Sequence, residues 1–177
     1  FTQIKSDKKL IEKTLQKINV KKIDAIVTLH SHHDHAMDSA EVALQTGAFI
    51  IGSNSTKNIA KARDFYNVKT IKDKRSFQVG DFKLTIIPSR HTIMGKHLSK
   101  LVGVGEKISD DFKTPAYFTK YKEAKTYSLL VEHKKGNIFI NASTNFVKGS
   151  LDNYKAHTVF LGIANLAKNT KEFQEEY

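Results

Sequence analysis

The order of apolar runs along this 177-residue chain predicts a mixed α/β protein. Two patterns carry the prediction. In the first half, short β-branched runs alternate with helical repeats, as in βαβ units. In the second half, strands follow one another across glycine turns, as in hairpins. A third feature marks where the chemistry belongs: His30, His32, His33 and His35 fall within six positions, with Asp34 among them.

Each element follows from its own residues. Ser6 is the expected cap of a first helix that carries Ile11, Leu15 and Ile18 at helical spacing. "IDAIVTL", Ile23 to Leu29, is a short apolar run that reads as a buried strand and delivers the chain into the histidines. "AMDSAEVALQTG" reads as one helix with a small-residue face of Ala36, Ala40 and Ala43, stopped at Gly47. "AFIIGS" is a strand, and Ser53 or Ser55 caps a helix that runs to about Tyr66. Strands then dominate: "SFQV", "FKLTIIP", "TYSLLVEH", "NIFINA" and "TVFLGIA". Turn chemistry at Gly80–Asp81 and at Gly136–Asn137 makes hairpins of two of these pairs.

Residues 92–125 resist the pattern, with no clear strand from "TIMGKHLSKLVGVGEKISDD" to "FKTPAYFTKYKEAK". Loops of that length in compact domains serve as lids, as binding loops or as packing over a sheet edge. The "GVGE" at Gly103 to Glu106 is too short for a phosphate loop and follows no strand.

Composition narrows the function classes. Apolar residues at 40% and charged residues at 27% are those of a globular chain. No apolar run approaches eighteen residues, so no membrane span is expected. The absence of cysteine excludes disulfides, thiolate zinc sites and a cysteine nucleophile, so a metal site has to be built from His, Asp, Glu and neutral oxygens. The chain opens at Phe1, which reads as processed or trimmed; the compartment stays open, with a cytoplasmic one slightly favoured. A net charge of +11 is compatible with a polyanion partner. Only Arg63, Arg75 and Arg90 are arginines, however, and scattered lysines better describe a solvated surface. A nucleic-acid partner is therefore not expected.

The histidine cluster is what a metal site needs. Side chains alternate along extended backbone, so His30 and His32 project to one side. Two imidazoles side by side can share one cation at about 2.0–2.1 Å each. Asp34 and His35 follow where the chain turns into a helix, whose N-terminus favours an ionised carboxylate. Such a carboxylate can ligate a metal or take a proton from its water.

"HSHHDH" after an apolar strand resembles the His-x-His-x-Asp-His signature of the metallo-β-lactamase-fold hydrolases. The blocks "GAFIIGSNSTKNIAKA", "DDFKTPAYFTKYKEAKTYSLLVEH", "NIFINASTNFVKGSL" and "HTVFLGIANL" resemble a poorly characterised branch of the same superfamily. The resemblance implies one domain over residues 1–177, a metallo-β-lactamase-like αββα sandwich with an insert at about 92–125. It implies that His30, His32 and a later histidine, matched by His91 at the end of "LTIIPSRHT", bind one metal. Asp34 and His35 would serve a second metal, and His33 occupies a free position of the motif. His97, His133 and His157 read as surface residues.

Two departures limit what is carried over. Relatives place a metal-bridging aspartate where "IFINAST" puts Ala142 and Ser143, and a hydroxyl brings no charge to hold two dications together. Their last histidine ligand lies beyond a further helix, whereas this chain stops at Tyr177 within "NTKEFQEEY", which reads as that helix. Strands expected before the first helix are also absent, so the chain looks incomplete at both termini. One well-held metal, zinc foremost with iron, manganese or nickel as alternatives, and a weak or empty second site are expected.

The implied activity is metal-dependent hydrolysis of a small ester, lactone, thioester or related substrate, with Asp34 orienting water or accepting its proton. A nuclease of the same fold and a non-catalytic remnant are the rivals. Exposed sheet left by missing termini favours some partner contact, a homo-oligomer being one form of it.

Overall fold

The computed structural model describes residues 2–71, 75–92, 94–143 and 145–163. It divides into two compact units, Phe1–Lys72 with Ser99–Ala124, and Asp73–Leu98 with Lys125–Tyr177.

The first unit is built on βαβ connections. Strands β1 (Ala25–Val27), β2 (Phe49–Gly52) and β3 (Val68–Thr70) form a parallel sheet in that order, with Ala25 opposite Phe49 and Ile50 opposite Val68. Parallel neighbours need a crossover, and helices supply it. Helix α1 (Lys8–Lys17) precedes β1; its cap is Asp7, whose carboxylate accepts the Leu10 N–H at 3.0 Å. The expected cap, Ser6, lies one residue too early and donates instead to Met37 O at 2.7 Å.

The single helix expected over residues 36–47 is two. Helix α2 (His33–Ala36) begins inside the histidine motif, and α3 (Ser39–Thr46) restarts after Asp38. Gly47 ends α3 at φ +76°, a left-handed conformation that costs glycine little. The small face holds as read: Ala36, Ala40 and Ala43 are buried, which lets the backbone approach the core closely. Helix α4 (Asn54–Lys61) is capped by Ser53, whose hydroxyl accepts from Thr56 N–H at 3.1 Å. It stops short of Tyr66, because Asp64 turns to φ +56° and Tyr66 is exposed. Ala40, Ala43, Ala48, Ile50 and Ala60 form one core, and Ala36, Ile59, Ile108, Ala116 and Tyr121 form a second.

The second unit is a five-stranded sheet of β4 (Ser76–Val79), β5 (Phe82–Pro88), β6 (Tyr127–Glu132), β7 (Ile138–Asn141) and β8 (Thr158–Leu161), in sequential order. Both expected hairpins are antiparallel, with their turn glycines at positive φ, +54° for Gly80 and +139° for Gly136. β8 joins β7 in parallel, a pairing the hairpin pattern does not contain. Ile87, Leu130 and Phe139 pack on one face of this sheet.

Residues 92–125 hold helix α5 (Lys96–Leu101), a 3-10 turn at Phe118–Lys120 and an isolated bridge from Ala116 to Ile4, and no strand among the described residues. Among those residues no helix is long and apolar enough to cross a membrane. The helix expected in "NTKEFQEEY" lies outside the described residues.

Candidate metal centre

β1 ends at Val27, so His30 and His32 do not extend a strand, as the sequence suggested, but occupy the loop between β1 and α2. That loop is fixed at its base. Thr28 N–H donates to Ile51 O at 2.9 Å, and its hydroxyl lies 3.2 Å from Ser39 Oγ. Ser31 is fully buried: its N–H donates to Glu123 O, and its hydroxyl reaches Lys122 O at 2.7 Å and Glu123 O at 2.8 Å.

The flanking histidines are as buried as core residues, His30 at 1% and His32 at 7% exposure. Polar rings are seldom sunk so far without a task or a partner. Their centroids lie 5.1 Å apart with the planes at 82°. His32 Nε2 is 3.0 Å from Val102 O. His35, on α2, brings a third imidazole, its centroid 3.8 Å from that of His30. The first unit therefore gathers His30, His32 and His35 into one imidazole cluster. Neutral imidazoles are donors suited to a divalent transition metal, so the buried pair of His30 and His32 fits such an ion.

Asp34 stands at the rim. Its side chain is 61% exposed in the first turn of α2, with Oδ2 3.4 Å from His35 Nε2 and Oδ1 3.8 Å from His33 Nδ1. His33 turns away toward Phe118 and Tyr121, at centroid distances of 5.8 and 6.4 Å.

His91 belongs to the second unit, three residues beyond the end of β5. It is half-buried; its Nδ1 lies 3.1 Å from Thr92 O, and its own carbonyl accepts from Asn145 Nδ2 at 2.9 Å. Asn145 is a local hub, its carbonyl accepting from Ser89 Oγ at 2.6 Å and Asn141 Nδ2 at 3.0 Å. Ser143 is buried with its N–H 3.4 Å from Asn141 Oδ1.

Of the remaining histidines, His97 and His157 are exposed, and His157 Nδ1 accepts Asn137 N–H at 2.9 Å. His133 is only half a surface residue, since its ring stacks on Phe82 at 4.8 Å. Ser31, Val102 and Glu123 were not singled out from the sequence. Val102 acts through its carbonyl, and the Ser31 hydroxyl and Glu123 carboxylate meet backbone groups distant in sequence, which leave no residue signature.

No protein-family model matches the sequence, and no curated protein matches it. Solved structures do. The isothiocyanate hydrolase from Delia radicum gut bacteria is 18% identical with a TM-score of 0.53, over 80% of this chain and 49% of that one. YhfI, a metallo-β-lactamase-fold protein from Bacillus subtilis, is 15% identical with a TM-score of 0.44, over 79% and 48%. The Rm3 metallo-β-lactamase is 16% identical with a TM-score of 0.45, over 81% and 49%. The chain spans about half the length of the structures it matches. At these identities a likeness speaks for the fold alone, and the fold of this chain, with its two sheets and βαβ-borne histidine loop, is that of the metallo-β-lactamase-like proteins.

Proposed function

We propose that the protein is a metal-dependent hydrolase in which His30, His32 and His91 hold one divalent ion, zinc foremost. The observation that carries this reading is the pair of buried imidazoles, His30 and His32, side by side in a loop whose backbone is fixed on both sides. Asp34 and His35 form a weaker second position, because Ser143 supplies no carboxylate to bridge two ions. When bound, the metal supplies Lewis acidity and acidifies water toward neutral pH.

The chain's own residues do the rest. Asp34, in the first turn of α2 and open to solvent, orients the attacking water or accepts its proton. His35 Nε2 lies 3.4 Å from that carboxylate. The substrate is a small ester, lactone, thioester or related acyl compound, and the segment 92–125, with Tyr117 and Phe118 among lysines, selects it.

The experiment is metal content by plasma mass spectrometry on protein purified without chelators, beside a His30→Ala/His32→Ala double variant, followed by a panel of esters and lactones. Close to one zinc per chain, lost in the variant together with turnover, is expected. A folded protein that holds no metal and gains no activity on zinc addition would refute the reading.

A further inference from the structure

The orientation of His32 is set from seventy residues away. A carbonyl oxygen only accepts, so the 3.0 Å contact with Val102 O requires His32 to carry its proton on Nε2. In the neutral ring this leaves the lone pair on Nδ1, the tautomer being fixed by the bond the other nitrogen makes.

Val102 precedes the "GVGE" turn. The turn is wound tightly, with Gly103 at φ +66° and Gly105 at φ +79°, and Glu106 N–H donates to Gly103 O at 3.1 Å. Glu123 grips it twice: its buried carboxylate accepts Gly105 N–H at 2.6 Å, and its own N–H donates to Gly103 O at 3.2 Å. The same residue's carbonyl accepts the N–H and hydroxyl of Ser31, next to His32. One residue thus ties together the donor side and the acceptor side of the His32–Val102 bond. Gly103 sits at φ +66°, a conformation that L side chains rarely adopt, and an added Cβ would also displace the Lys122 side chain, 2.1 Å away at Cδ.

We propose that Glu123 is a positioning residue: its carboxylate, through the Gly103–Glu106 turn, holds Val102 O on His32 Nε2 and thereby presents Nδ1 as the metal-binding atom. The proposal rests on the reading of His32 as a metal ligand. Partners of this kind are worth about 10–100-fold in metal affinity.

The test uses zinc and two readouts. Long-range ¹⁵N–¹H correlation spectra of the metal-free protein give the His32 tautomer, and competition with a chromophoric chelator gives the zinc Kd. The wild type should show the Nε2–H tautomer. Glu123→Ala should mix the tautomers and raise Kd about ten-fold or more. Glu123→Gln, whose amide oxygen can still accept from Gly105 N–H, should stay close to wild type in both. Unchanged tautomer and Kd in a folded Glu123→Ala would overturn the proposal. So would an Nδ1–H tautomer in the wild type, whatever the variants do. Failure of the wild type to bind zinc would sink the metal reading, while the tautomer, read without metal, would still decide whether Glu123 positions His32.

Discussion

Arg63→Ala is the sharpest test of the packing that carries the histidine loop. Glu41 lies on α3 with its side chain 4% exposed, and Arg63 Nη2 reaches its Oε2 at 2.7 Å from just beyond α4. Burial by itself pushes the Glu41 carboxyl up, but hydrogen bonds from Gln45 and Arg63 outweigh it and hold the carboxyl below its ordinary 4.5. Removing Arg63 leaves a buried carboxylate with the Gln45 amide as its hydrogen-bond donor and the weaker charge of Lys8. Breaking a buried pair costs about 3–5 kcal/mol; with Arg63 itself 27% exposed, the low end, about 3 kcal/mol, applies here. For a protein of this size that is a fall in Tm of about 6–12 °C. The sign with pH is fixed. The folded carboxyl titrates below the unfolded one, so the wild-type advantage is complete above about pH 4.5 and fades as pH falls through the folded value. Calorimetric melts of wild type, Arg63→Ala and the exposed control Lys13→Ala at pH 7 and pH 3.5 measure all of this. A loss no greater than that of the control at pH 7, or a gap that does not shrink in acid, would refute the reasoning.

Four further outcomes are expected. Tyr121 is fully buried, its hydroxyl has no hydrogen-bond partner among the described residues, and burial pushes its phenol up to about 12. Tyr121→Phe should therefore be neutral or stabilising by up to about 1–3 kcal/mol in urea melts, and a clear destabilisation would reveal an unseen partner. Since the folded pKa lies above the unfolded value of 10.0, the wild type should lose stability as pH rises from 10 toward 12, and Tyr121→Phe should lose less. Zinc at a hundred times its Kd should stabilise the protein by about 2.7 kcal/mol, with no shift in His30→Ala/His32→Ala; an equal shift in both would place the ion elsewhere. Gly52→Ala should cost about 1–3 kcal/mol, because the new Cβ would sit 2.6 Å from Thr56 Cγ2 where β2 gives way to α4; a melt unchanged from wild type would show that Thr56 can move.

Much of the fold was legible because its signals are local. β4 and β5 follow their alternating runs, and the Ala36–Ala40–Ala43 face is buried as spaced. β3 went unseen because "VKT" is three residues with an exposed lysine at its centre, and it is a strand only because β2 offers a parallel edge. The break between α2 and α3 was hidden for a related reason: residues 36–47 have helical composition throughout, and the interruption is bound up with Ser6 on Met37 O and Ser39 on Thr28, both distant in sequence. In the site, the density of imidazoles was plain from the motif. The clamp on that loop was not, since main-chain carbonyls at Val102, Lys122 and Glu123 look alike in every sequence.

The same long reach has a consequence for how the chain is made. Ser31 finds its partners at Lys122 and Glu123, 91 and 92 residues later, after the β4–β5 hairpin of the other unit has been synthesised in between. At about 5–20 residues per second, translation leaves Ser31 without these two partners for roughly 5–20 s, with the loop held meanwhile by Thr28 on Ile51 O. During that interval the imidazoles are tethered near one another by sequence and by that bond, and any ion they meet is held by a half-settled loop. Order comes to the site only when the second crossing of the first unit emerges, so its maturation is timed by the far end of an interrupted segment and not by its own nascent helix.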